Sequence, residues 1–307
     1  MDYLYPISLA IISAAVALAE RLVPWRGQQR QLRPGLWSDL VFLVFNGHFL
    51  GVIVYGLSLR YLAQPFDAWL LQLGLHDVLY REVAAGWPLW LQIVVALLAT
   101  DFIQWCVHNL LHRVGFLWHF HQTHHSVRDG EMDWIVSFRF QWTEVILYRA
   151  VQYLPLAYLG FDARAVMFHA IFGTAIGHLN HANLNLSYGP LRYLLNNPRM
   201  HLWHHDFEST ASTTVNFGII FSLWDWVFGT AKLPDTSPAR IGFPGVEAFP
   251  RGFFGRTAWP LQRLLRLERP DSWVYVVVVL AVLAAAWWLH DPTCFNYPGA
   301  AQICGGN

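Results

Sequence analysis

The sequence predicts an all-α, integral-membrane helical bundle of about six hydrophobic helices, on three observations. First, 55% of the 307 residues are hydrophobic and only 13% are charged, where a soluble domain carries about 25% charged residues. Second, five or six stretches approach the roughly 20 apolar residues that cross a bilayer as a helix. Third, histidines recur at spacings of three and four, which bring side chains to one face only on a helix. Mean hydropathy is positive, +0.32, and the 16 tryptophans suit bilayer interfaces. Formal net charge is zero, and no basic stripe with interleaved aromatics runs through the chain, so nucleic acid is excluded as a partner.

Residues 5–23 form the first span. Asp2 precedes it and the basic residues follow it, so it reads as an uncleaved anchor rather than a signal peptide. Residues 36–62 and 87–107 are the second and third spans. Residues 145–159 and 163–177 form a tight hairpin around Gly160, Phe161 and Asp162, and residues 273–289 are the last span. Residues 69–76 read as a re-entrant or interfacial piece of an outer loop. Residues 216–230 are apolar but interrupted by Asp225 and short for a span, which predicts an interfacial or cap helix. Residues 251–269 mix Arg with Phe, Trp and Leu, a composition suited to an anionic leaflet.

No internal repeat or low-complexity linker divides the chain. It reads as one membrane domain over 1–307, with N-terminal helices to 100, a histidine-rich core over 101–230, and an amphipathic segment and last helix over 231–307. Residues 115–144 and 182–270 form a helical cap. Of the 20 Lys and Arg residues, Arg60, Arg81 and Arg164 fall outside if the N-terminus is outside and six helices span. Arg149 lies within a hydrophobic stretch, and the remaining sixteen fall inside. That asymmetry predicts a multi-pass protein of a bacterial inner membrane with its cap in the cytoplasm. Cys294 and Cys304 then lie outside, as a disulfide or as two free thiols, while Cys106 is a small buried residue.

Eight histidines form three clusters: His108 and His112; His121, His124 and His125; His201, His204 and His205. His181 is a ninth, with His178 three residues before it as a tenth candidate ligand. Imidazole is a common ligand for borderline metals. Nine or ten are too many for one ion of four to six ligands and suit two, so the cap is expected to carry a dimetal site. No cluster holds a Glu between its histidines, which excludes the HExxH zinc-protease pattern. Ligating histidines need an acceptor for their other N–H. Asp101, two turns before His108, fits that role, as do Asp133, Glu144 and Asp206. Asn180 reads either as an amide offered to a ligand or bound oxygen, or as a helix-end residue. Arg139 and Glu144 read as a surface pair.

These residues resemble the fatty acid hydroxylase/sterol desaturase superfamily over roughly residues 101–230. The resemblance is carried by Asp101-Phe102 with Trp105, His108 and His112, and by Leu117-Trp118 leading into His121, His124, His125 and Ser126. It continues in His181-Ala182-Asn183, in Asn197-Pro198-Arg199-Met200-His201 with His204 and His205, and in Trp224-Asp225 with Phe228-Gly229-Thr230. Gln141 departs from it, standing where such proteins often have a histidine. The resemblance implies two iron ions (zinc in mismetallated protein), O₂ as co-substrate and a lipid or sterol-like substrate. It also implies electrons from a separate ferredoxin- or cytochrome b5-type donor with its reductase. The expected activity is hydroxylation. Desaturation uses the same ligands, and the readings from other classes are a metal transporter and a non-catalytic zinc-stabilised membrane protein.

Overall fold

The computed structural model describes residues 4–30, 32–49, 64–128 and 130–264. The predicted last span, Cys294 and Cys304 lie outside the described residues. Helices follow in the order α1 (Leu4–Leu22), α2 (Leu36–Val44), α3 (Gln64–Gln72), α4 (His76–Leu79), α5 (Leu89–Arg113) and α6 (Gly115–His125). They continue with α7 (Trp142–Tyr158), α8 (Ala163–His181), α9 (Pro198–His204), α10 (Leu223–Phe228) and α11 (Phe253–Leu264). Among the described residues there is no strand, only two isolated bridges, Leu195 with Phe221 and Asp206 with Ile241.

Two helices, α1 and α5, are long and apolar enough to cross a membrane. Their surfaces are inverted relative to a soluble helix. On α5, Trp90, Val94, Phe102 and Leu110 are exposed, while Gln92, Thr100, Asp101, His108 and His112 are buried. In water this arrangement would expose apolar area and desolvate polar groups, both unfavourable. In a bilayer the apolar side meets lipid and the polar side turns inward. The hairpin joining α7 to α8 forms as expected. Gly160 turns it with φ 73°, and a Cβ there would stand 2.8 Å from Glu82 Cα. Asp162 then caps α8, its side chain accepting from Arg164 N.

The bundle is tied at both ends. At one end Gln92 of α5 accepts from Asp162 N, and Ala84 N donates to the Leu159 carbonyl. At the other, Glu20 near the C-terminus of α1 accepts from Asn183 N, just past α8, and from Trp134 N. The C-termini of α1, α5 and α8 and the N-terminus of α7 therefore share one end, and the cap lies there.

The second predicted span begins as α2 and continues as a π-helical turn at Phe45–Phe49; its remainder, residues 50–63, lies outside the described residues. One sequence expectation changes. In the stretch 216–230 only α10 is helical. Carboxylates compete for the backbone N–H groups that a longer helix would need: Asp225 takes those of Phe217 and Gly218, and Asp101 takes those of Ile220 and Phe221. Gly218 is required at that turn, since a Cβ would meet the Phe221 carbonyl oxygen at 2.2 Å.

Candidate metal centre

Local sequence explains how the clusters approach one another. A single extended residue, Val114, separates α5 from α6, so the chain folds back and brings His121 to His108. The α9 cluster is launched by Asn197, whose side chain caps Met200 N, with Pro198 in the first turn. His181 arrives on the last turn of α8.

The nine imidazoles divide into two groups. His108, His112, His121, His125 and His204 form the first, and His124, His181, His201 and His205 the second; within each group the ligand atoms lie within 4.8 Å of one another. The two HxxHH motifs are split in opposite senses. From α6, His121 and His125 serve the first group and His124 the second. From α9, His204 serves the first, while His201 and the following His205 serve the second.

The Nε2 atoms converge in pairs: His108 with His121 at 3.0 Å, His204 with His125 at 3.1 Å, His181 with His201 at 3.0 Å and with His124 at 3.2 Å. Bonds of about 2.0–2.1 Å to one ion place neighbouring ligand nitrogens about 3.0–3.4 Å apart. The opposite nitrogens explain the orientation. His108 Nδ1 donates to the Phe217 carbonyl at 2.7 Å, His204 Nδ1 to Val215 at 2.8 Å and His121 Nδ1 to Glu144 Oε1 at 2.7 Å. With Nδ1 carrying the proton on His108 and His121, their Nε2 lone pairs face each other, an arrangement that a cation between them stabilises. His112 Nε2 is buried with no hydrogen-bond partner. All nine rings are buried. Burial, reinforced by neighbouring imidazoles, holds His121, His124, His125, His201, His204 and His205 well below the usual histidine range. They are neutral at pH 7, the form that binds metal. The residues present thus fit two adjacent metal ions.

Three expectations about single residues are corrected. His178 lies outside both groups: Nε2 meets Ser13 Oγ at 3.0 Å and Nδ1 meets Ser137 Oγ at 2.6 Å, so both ring nitrogens are already engaged. Asp101 touches none of the nine clustered histidines; it accepts from Ile220 N, Phe221 N and Trp224 Nε1 and clamps the turn that carries Phe217. Arg139 is not paired with Glu144 at the surface. It is fully buried and gripped by Asp39.

Glu144 faces the site through His121, with Oε2 buried and unpartnered. Asn180 Nδ2 donates to the Ile219 carbonyl at 2.7 Å and so secures the same turn, leaving Oδ1 buried without a partner. Asp133 pairs with Arg33. Gln141 caps α7, accepting from Thr143 N, and does not reach the histidines.

The part missed in the sequence is Asp225, which accepts from Phe217 N, Gly218 N, Trp105 Nε1 and Thr230 Oγ1. Its place beside Trp224 and four residues before Gly229 was the available signal. Carbonyl acceptors such as Phe217 and Val215 leave no signature in side-chain identity. Glu144→Gln is expected to weaken metal retention about 10- to 100-fold, the usual cost of losing an outer partner. His178→Ala should retain both ions. Metal analysis of the two purified variants checks the contrast, and loss of metal from the second would return His178 to the ligand set.

The fold combines two helices long and apolar enough to cross a membrane with two groups of buried imidazoles that could each hold a metal ion. The profile of the fatty acid hydroxylase family matches residues 93–230. The ornithine lipid hydroxylase OlsE of Rhizobium tropici is 29% identical over 262 residues, 83% of this chain and 75% of that protein. The alkylglycerol monooxygenase of Xenopus tropicalis is 25% identical over 219 residues, covering 67% of this chain and 42% of its own length. The human alkylglycerol monooxygenase is 29% identical over 136 residues, 44% of this chain and 29% of that protein. The chain thus spans less than half the length of these two monooxygenases. No solved structure matches. These matches support the fatty acid hydroxylase superfamily and indicate an oxidoreductase.

Proposed function

We propose that this protein is a multi-pass membrane di-iron monooxygenase that hydroxylates a lipid, with electrons from a separate ferredoxin- or cytochrome b5-type donor. The observation that carries the reading is the pair of converging, buried, neutral imidazole groups at the end of helices whose outer faces are apolar. The relatives act on lipids, an ornithine lipid in one case and alkylglycerols in the other.

Bound iron would supply the redox chemistry by which O₂ attacks an unactivated C–H bond, which no side chain can do. The ligands proposed are His108, His112, His121, His125 and His204 for one ion, and His124, His181, His201 and His205 for the other. Glu144 and the carbonyls of Phe217 and Val215 hold ring tautomers so that Nε2 faces inward. Phe140 lies flat on His124, with ring centroids 4.4 Å apart and planes 2° apart. With Tyr148 it forms an apolar wall that keeps water from the oxidising centre. A lipid chain reaches this wall from the bilayer, so substrate and site share a dry environment.

The six-span topology with the cap in the cytoplasm belongs to the same reading. Its support is the basic asymmetry of the loops and the gathering of the α1, α5 and α8 C-termini beside the histidines. Sterol-like substrates and desaturation remain outcomes of the test. Protein purified anaerobically, given reductant, O₂ and either an ornithine lipid or an alkylglycerol, should consume O₂ and yield a product one oxygen atom heavier. A product two hydrogens lighter would make it a desaturase. Two bound zinc ions with no O₂ consumption after iron loading would favour a structural metal site, and metal movement across vesicles a transporter.

A further inference from the structure

A cleft of about 440 Å³ opens in the cap, and no histidine of the metal centre lines it. It lies between the chain leaving α1, the segment after α6 and the turn before α11. Its charged lining is Arg30, Arg33, Arg128 and Arg251 with Glu131 and Glu247. The arginines form two layers. Arg33 and Arg128 are 4% and 6% exposed and internally held, Arg33 by both Asp133 oxygens at 2.7 and 2.6 Å and Arg128 by the Val246 and Phe249 carbonyls. Arg30 and Arg251 are exposed and make no ion pair among the described residues.

The charge does not cancel. Among the described residues, four guanidinium groups against two carboxylates leave the lining at +2. The charges packed behind it, Arg139 and Arg256 against Asp39 and Asp133, balance and leave that excess standing. Arg256 is fully buried, yet its Nη2 has no hydrogen-bond partner. It lies beside Gly35, one residue on from Pro34 of the cleft wall, where a Cβ would stand 3.8 Å from it. A concave site with a net charge of +2 and free arginine forks matches a phosphate oxyanion, whose oxygens accept paired N–H donors.

Both rims lead to membrane-suited elements. Upstream is α1. Downstream is α11, which begins two residues after Arg251 and exposes Phe254, Leu261 and Leu264, the composition of a helix lying in the interface. We propose that this cleft binds a phosphate group, supplied at the bilayer surface by an anionic phospholipid headgroup. The lipid source rests on the membrane placement of α1 proposed above; the phosphate chemistry does not.

The test uses the full chain, wild type and R30Q/R251Q, in phosphatidylcholine nanodiscs with and without phosphatidylglycerol. Native mass spectrometry counts the retained lipids, and inorganic phosphate is titrated into the phosphatidylcholine set. Metal content and helicity report folding. Wild type is expected to retain phosphatidylglycerol, with occupancy about tenfold or more lower in the double variant, since two charge-assisted contacts are lost. If R30Q/R251Q loses metal, R30K/R251K carries the comparison, keeping charge but losing the forks. Phosphate binding that is lost in the variant, with no phosphatidylglycerol retained, supports the site with a soluble source. Equal binding of both ligands by wild type and a folded variant overturns it. So does a raised KM for the electron-donor protein with both bindings unchanged, which would make the surface a protein dock. Extraction of the chain from membranes by alkaline carbonate would sink the membrane placement and leave the phosphate arm to be read on its own.

Discussion

His201→Ala is expected to leave the protein with one metal ion in place of two and no measurable turnover. His201 contributes to the second group, and its Nε2 touches those of His181 and His205 at 3.0 and 3.3 Å. Removing it takes one of four ligands from an ion whose remaining ligands are His124, His181 and His205. His121→Ala should do the same to the first group while sparing the second. Elemental analysis of anaerobically purified protein, paired with O₂ uptake, checks both variants. Two ions retained with near-normal uptake in either one would mean that the grouping is wrong. The two ions should also leave in order. In the first group His108, His121 and His204 each have a protein acceptor at Nδ1. In the second only His181 does, through the Gly177 carbonyl at 2.8 Å, while Nδ1 of His124, His201 and His205 is buried and unpartnered. Ligands without an outer partner bind about 10- to 100-fold more weakly, so graded chelation should empty the second group first.

Asp225→Asn is expected to destabilise the protein and to release metal from the first group, although Asp225 touches no histidine. An ionised carboxylate accepts only, and here four donors converge on its two oxygens. An amide at this position presents an NH₂ to at least one of those donors. A buried donor left unpaired costs about 1–3 kcal/mol, and more where the lost acceptor was charged. The segment that loosens runs from Val215 to Phe217 and carries the carbonyls that orient His204 and His108. Burial pushes the Asp225 carboxyl above its usual range, and hydrogen bonds from Thr230, Gly218, Trp105 and Phe217 oppose that rise. The carboxylate therefore depends on those donors as much as they depend on it. Thermal unfolding and metal content of Asp225→Asn should fall together. An unchanged melting temperature with full metal would show that the turn is held by other contacts.

Much of the site was legible because its information is local. Spacings of three and four put His108 with His112, His121 with His125 and His201 with His205 on common helix faces whatever the rest of the chain does. The same holds for the Gly160 turn, the Asn197–Pro198 helix start and the apolar length of α1 and α5. Local period also misled. It placed Asp101 on the face of His108 and suggested a ligand partner, whereas the side chain turns to the N–H groups of a segment about 120 residues away. It grouped His178 with His181, whereas helix packing sets His178 between Ser13 and Ser137.

What the sequence by itself determined is the class of element and which histidines cluster. A helical period and a hydrophobic composition are properties of neighbouring residues and of the solvent they require. Only the tertiary structure decided the partition into five and four imidazoles, with the two HxxHH motifs split in opposite senses. That partition depends on how α5, α6, α8 and α9 cross, and crossing is set by contacts between residues far apart in the chain. The carbonyls of Phe217 and Val215, and the carboxylates that hold them in place, became visible only there, because a backbone oxygen is the same in every residue and its position alone gives it a role.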